Sequence, residues 1–161
     1  MDLVATWLIF DLPRTIAGAM AGVFAGLVAL VFAGLLATLG GLEFWYPMKI
    51  AAAPMMKNDA MTIGFTSAVI LGLIVTSVIC AVLGMVYAHF TKTNKLLPLL
   101  GAGFMWGTFS WIFINNLFVK SFQNVKELDI PAGPAFFIYL VFGFSLVSIR
   151  LFDRVICGRA R

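Results

Sequence analysis

The chain carries a single histidine, His89. A haem held through two histidines needs a second one, so His89, at the end of an apolar run, reads as an interfacial ring and not a ligand. Cys80 lies inside an apolar run and Cys157 in a basic tail. They sit far apart and on different kinds of surface, which argues against a disulfide, and no ligand spacing fits a metal ion. The best polar pair within an apolar run is Asn115–Asn116, with Thr108 and Ser110 below it. Adjacent side chains on a helix point about 100° apart, so one asparagine of the two faces a given neighbour. Hydrogen bonding between helices is the expected role of this candidate polar contact, with ligand binding as the sharper alternative. Trp106 and Trp111 have rings that could stack on a pigment or quinone, but packing in a core or against lipid is commoner. Arg150, Asp153 and Arg154 read as a local charge cluster among headgroups. There is no nucleotide-binding glycine loop, catalytic triad or pair of carboxylates. No catalytic, cofactor-binding or metal-binding residue is expected, no cofactor is called for, and the chain does not read as an enzyme. The absence of a charge in the middle of any span also disfavours a proton-coupled carrier.

The elements that position these residues are made for lipid. Of 161 residues, 62% are hydrophobic and 11% charged, where soluble domains carry about 25% charged residues. A chain this short exposes much of its surface, so one core cannot absorb the excess. The charges are also clustered. None falls between Thr15 and Gly41, Ala60 and Ala88, Leu96 and Val119, or Ile130 and Ile149. Each gap clears or approaches the roughly 20 residues that cross about 30 Å of hydrocarbon as a helix. The expected fold class is all-α, a polytopic membrane protein of four transmembrane helices arranged as two hairpins. The spans fall at about 15–40, 61–89, 96–118 and 133–152 of a single membrane domain, with interfacial segments at 2–12 and 44–54. The start of the chain lacks a basic n-region and is not read as a cleavable signal, but as a short interfacial helix anchored by Trp7 and ended near Pro13.

The stretch "GLEFWYPMKIAAAPMMKND", Gly41 to Asp59, is too apolar for an ordinary loop and too interrupted to cross a bilayer. Phe44–Tyr46 suit the headgroup depth that aromatic rings prefer. Pro47 suits the first position of a helix and Pro54 is expected to stop it. Lys49 is expected to run its stem along apolar surface and keep its ammonium among headgroups. An interfacial or shallowly re-entrant helix that clamps the helix ends is the expectation, and a lid over a ligand cavity the alternative.

Two ladders of small residues dominate the first half. Ala17, Ala21, Ala25, Ala29, Ala33 and Ala37 recur every four residues beside Gly18, Gly22 and Gly26, opposite Met20, Leu27, Val31 and Leu35. The second span repeats the device with Gly64, Ala68, Gly72, Thr76, Cys80, Gly84 and Ala88. Hydrophobicity gives no drive for helix association in lipid, so close backbone approach must supply it. Gly18, Gly22, Gly26, Gly64, Gly72 and Gly84 are therefore the expected packing residues. A parallel repeat of the two hairpins is a weaker expectation.

Seven basic residues (Arg14, Lys92, Lys95, Arg150, Arg154, Arg159, Arg161) fall on the face shared by the termini, against Lys49, Lys57, Lys120 and Lys126 on the other. That bias puts both termini in the cytoplasm, with a bacterial inner membrane as the expected setting. It also accounts for the net charge of +4 without nucleic acid as a partner. The expected partners are the bilayer itself, anionic headgroups at Arg150, Arg154, Arg159 and Arg161, and other membrane subunits or further copies of the chain. The reading is a non-catalytic structural or accessory subunit. The alternative is a small transporter or channel with the Pro47–Pro54 segment as its outer gate.

Overall fold

The computed structural model describes residues 11–93, 95–114 and 132–158. These residues form helices and connecting turns, with no strand among them. Helix α1 runs Leu12–Leu39: Asp11 caps it, accepting from the Arg14 N–H at 3.4 Å, and Pro13 stands in the first turn, where its missing N–H costs nothing. Gly40 ends the helix, and Gly41 turns the chain at φ +79°. A short helix α2 (Tyr46–Met56) and a 3-10 turn (Lys57–Met61) follow. Then come α3 (Ser67–Phe90), α4 (Leu96–Phe113), α5 (Ala132–Ser145), a second 3-10 turn (Leu146–Ser148) and α6 (Ile149–Cys157). Among the described residues four runs are long and apolar enough to cross a membrane: α1, α3, α4 and the continuous run Gly133–Ile156. The chain is thus a multi-pass membrane protein by helix length and composition.

Two local expectations need correcting. Pro54 does not stop α2, which continues through it to Met56. A proline inside a helix removes one backbone bond and crowds the turn before it. Here the helix ends only where Lys57 takes φ +51°. The second span begins at Ser67 and not near 61, because the 3-10 turn and Gly64, at φ +89°, break the helical path. The proposed interfacial segment 2–12 lies almost wholly outside the described residues, as does the connection between the third and fourth spans.

Helix α1 is the centre of the bundle, packing against α3 on one side and against α5 and α6 on the other, while α4 packs on α5 and α2 on α3. The alanine ladder explains this. Ala17, Ala21, Ala25, Ala29 and Ala33 are buried, whereas Met20, Leu27, Val31 and Leu35 are exposed on the opposite side. A Cβ added to Gly18 would lie 2.6 Å from the Gly84 carbonyl oxygen, and one on Gly26 2.7 Å from Cys80 Sγ. Residue numbers rise along one helix as they fall along the other, so α1 and α3 run antiparallel. The α4–α5 contact has the same construction: a Cβ on Gly107 would lie 2.5 Å from the Tyr139 carbonyl oxygen, and one on Gly103 3.1 Å from the Gly143 carbonyl carbon. Ile70, Ile74, Val78, Val82 and Val86 form an exposed apolar ridge along α3, a fault in water and an ordinary outer surface in lipid.

Candidate functional site

Two charged clusters, one at each end of the bundle, are the built polar features of the described chain: the first is buried, and in the second a buried lysine meets a partly exposed carboxylate. The first centres on Arg14, in the first turn of α1. A cation there opposes the positive end of its own helix dipole. Its guanidinium instead reaches the negative end of α3, where Nε donates to the Ala88 carbonyl at 3.3 Å and Nη2 to the carbonyls of Thr91 and, at 3.3 Å, Thr93. Those carbonyls lie at or just past the helix terminus, where no helical N–H remains to satisfy them. Nη1 faces Asp153 Oδ2 of α6 at 3.5 Å, and Asp153 is fully buried. One fork of donors therefore ties α1, α3 and α6 together. Nearby, Tyr87 Oη donates to the Leu99 carbonyl at 3.0 Å and joins the end of α3 to the start of α4. Asp153 is thus not part of an exposed charge cluster at the headgroups, as the sequence suggests. It turns inward to the guanidinium, while Arg154 stays exposed.

At the opposite end Lys49 of α2 is 2% exposed. It does not snorkel outward. Its ammonium pairs with Glu43 and donates to the Thr62 carbonyl at 2.6 Å, and Glu43 also accepts from the Gly64 N–H at 3.1 and 3.3 Å. Glu43 lies six residues before Lys49. The turn between α1 and α2 folds that separation into contact. The pair latches α2 across to the loop that leads into α3. The Lys49 hydrogen bond, and then the Gly64 N–H, hold the Glu43 carboxyl below its ordinary value of 4.5. A depressed carboxylate pKa contributes stability at pH above the unfolded value, and that contribution is lost as pH falls through the folded one. Acidification from neutral pH through that range is therefore expected to lower amide protection, taken relative to the intrinsic exchange rate at each pH, at Gly64 and along α2 in the wild type. In Glu43→Gln that protection is expected to be already low and nearly flat with pH. An acid response in the variant as steep as that in the wild type would assign the transition to another group.

The other residues singled out by the sequence are distributed as follows. Asn115 and Asn116 lie outside the described residues. Thr108 Oγ1 donates to the Phe104 carbonyl of its own helix at 3.0 Å. Ser110 is fully buried, and its Oγ, like the Trp106 and Trp111 indole N–H groups, has no hydrogen-bond partner. Trp106 packs on Tyr87 and Phe109, and Trp111 on Phe136, so both rings are held by protein aromatics. His89 is half-buried in the last turn of α3, against Phe90. Cys80 is a buried free thiol in the α1 seam. Gly18, Gly22, Gly26 and Gly84 meet in that seam, but Gly72 does not, because a Cβ on it would lie 2.6 Å from the Met48 carbonyl carbon of α2. Gly64 is no packing residue. It precedes α3 at positive φ with nothing within 4 Å of a built Cβ. Sequence reasoning missed both ion pairs and the Gly103–Gly107–Gly143 contact. The signals available for them were an arginine at a helix start, an acid in a basic terminal helix, and GxxxG spacing in the third span. The chain matches no known family model, curated protein or solved structure.

Proposed function

We propose that this chain is a non-catalytic membrane subunit whose work is assembly, packing with copies of itself or beside larger membrane partners. The observation that supports this reading is the close contact of the described helices with one another. Along α1–α3 and α4–α5 glycines bring backbone against backbone, and the two charged clusters are spent on tying helices of this same chain together. Because the small-residue ladders are used internally, the surfaces left for other helices include the aliphatic ridges on α3 and α1 and the exposed aromatic face of α4 around Phe104, Phe109 and Phe113. In lipid such ridges associate by van der Waals fit. The setting is a bacterial inner membrane with both termini cytoplasmic, and Arg150 and Arg154 meet anionic headgroups there.

The test is reconstitution of the purified chain alone into liposomes, with a panel of ions and small solutes. Leak-free vesicles, together with stoichiometric larger partners or a defined homo-oligomer after mild extraction, are the expected result. Saturable uptake by the chain alone would overturn it. That outcome would favour a small transporter, with α2 as a gate held by the Lys49–Glu43 latch. Orientation has its own check. In a Cys157→Ser background, a cysteine at Asn58 or Asn124 is expected to react with an impermeant reagent on intact cells, and one at Asn94 to stay unlabelled. Labelling at Asn94 would invert the topology.

A further inference from the structure

At the Arg14 end of the bundle an open cavity of about 330 Å³ lies beside the second 3-10 turn and α6, lined by Val147, Ser148, Arg150, Leu151 and Arg154. Arg150 and Arg154 stand one helical turn apart, so their side chains share a face of α6. Two like charges at that spacing repel unless an anion lies between them. Among the described residues none does. Asp153, the acid of α6, is fully buried and engaged by Arg14, and neither guanidinium of α6 makes a hydrogen bond or ion pair among the described residues. Ser148 adds a second, independent feature. Its Oγ is buried with no hydrogen-bond partner, an unfavourable state that rotation about χ1 toward the cavity would relieve in the presence of an acceptor. Val147 and Leu151 supply an apolar wall beside these polar groups.

We propose that this cavity binds one phosphate-bearing anion. Arg150 and Arg154 clasp its oxygens, the Ser148 hydroxyl donates a further bond, and Val147 and Leu151 face the carbon skeleton next to the phosphate. Guanidinium forks match phosphate oxygens in geometry as well as charge. The same chemistry is offered by the headgroup of an anionic phospholipid and by a soluble phosphate. The site rests on the reading above only in placing this end of the bundle at a headgroup layer, and it sharpens a general basic surface into one stoichiometric position.

The experiment titrates the full chain, in a nonionic detergent that offers no anionic surface of its own, with phosphatidylglycerol, counting retained lipid by native mass spectrometry. A parallel titration uses inorganic phosphate, read by phosphorus NMR line broadening. One saturable equivalent of phosphatidylglycerol is expected. Its affinity is expected to fall about 30-fold in Arg150→Gln/Arg154→Gln, the scale of two basic residues at a headgroup layer. Ser148→Ala leaves the charge untouched and is expected to weaken binding by about threefold to tenfold, as a lost hydrogen bond does. Arg159→Gln/Arg161→Gln removes the same charge from the tail and is expected to leave the affinity unchanged. Equal losses in the two double variants would show diffuse attraction and overturn the site, as would full retention of lipid in Arg150→Gln/Arg154→Gln. Arginine-dependent saturation by inorganic phosphate, without phosphatidylglycerol binding, would keep the site and assign it to a soluble anion. Particle size, measured on the same samples, separates the two readings. Lost binding at unchanged size isolates this site, whereas absence of any assembly with binding intact counts against the subunit reading alone.

Discussion

Asp153→Ala is expected to destabilise the bundle by about 3–5 kcal/mol, the scale of removing one partner from a buried ion pair. The reason is the arginine left behind. Arg14 would keep its bonds to the Ala88, Thr91 and Thr93 carbonyls, but its charge would have lost the carboxylate that it faces, while sitting at the positive end of its own helix. Neither helix can simply swing the guanidinium into water, because the same fork closes the end of α3. Arg14→Lys is expected to cost less, about 1–3 kcal/mol, since one ammonium cannot serve carbonyls and a carboxylate spread over three segments. Asp153→Asn should fall between wild type and alanine, keeping the shape and one acceptor. The informative variant is the double replacement Arg14→Met/Asp153→Leu. If the pair is a structural clasp, removing both charges at similar volume recovers most of the loss, as apolar replacements of buried pairs often do. Unfolding midpoints in detergent, compared across this set, decide it. A midpoint unchanged in Asp153→Ala would show that the pair carries no load. A double variant as unstable as the single one would point to a loss of packing and not of charge balance.

What could be read in the sequence depends on range. The four spans follow from composition and charge gaps, which are local and strong, and the ladder on α1 specifies a buried side because its period matches the helix. Partner assignment is another matter. The second ladder looks uniform, yet Gly72 meets the backbone of Met48 while Gly84 meets Gly18 and Gly22. Small size says that something comes close, not what comes close. The ion pairs were the least legible features. Arg14 and Asp153 are 139 residues apart, and each has an adequate local explanation as an orienting or headgroup charge. Only their misfit hints otherwise: a cation at a helix start, and an acid in "IRLFDRVIC". Lys49 departs from what its sequence context suggests for the same reason, because an isolated lysine near an interface normally snorkels. Here a carboxylate brought round by a turn captures it.

The second large effect is expected at the α1–α3 seam. Gly22→Leu is expected to lower stability and accumulation sharply, at or beyond the roughly 1–3 kcal/mol typical of overpacking a tight contact. A Cβ on Gly22 would overlap the Cys80 carbonyl oxygen and lie 2.9 Å from its carbon and 3.0 Å from Gly84 Cα. All three are backbone atoms, so no rotamer change can make room and the two helices must separate. The sharper trial is alanine, because it reverses the usual sign. At an open helical position Gly→Ala is favourable by roughly 0.5–1 kcal/mol. Gly101 of α4 offers that comparison, with nothing within 4 Å of a built Cβ. Gly101→Ala is therefore expected to raise the unfolding midpoint in detergent slightly and Gly22→Ala to lower it. Gly72→Leu should disturb a different contact, loosening α2 from α3 and raising amide exchange along α2 before the bundle melts. Leu27→Ile and Leu35→Ile, on the exposed side of α1, should be mild. Equal midpoints for Gly22→Ala and Gly101→Ala would mean that the seam yields, and that backbone contact does not hold these two helices together. A drop confined to Gly22 would locate the association of α1 and α3 in that contact, where lipid leaves van der Waals fit as the main source of attraction.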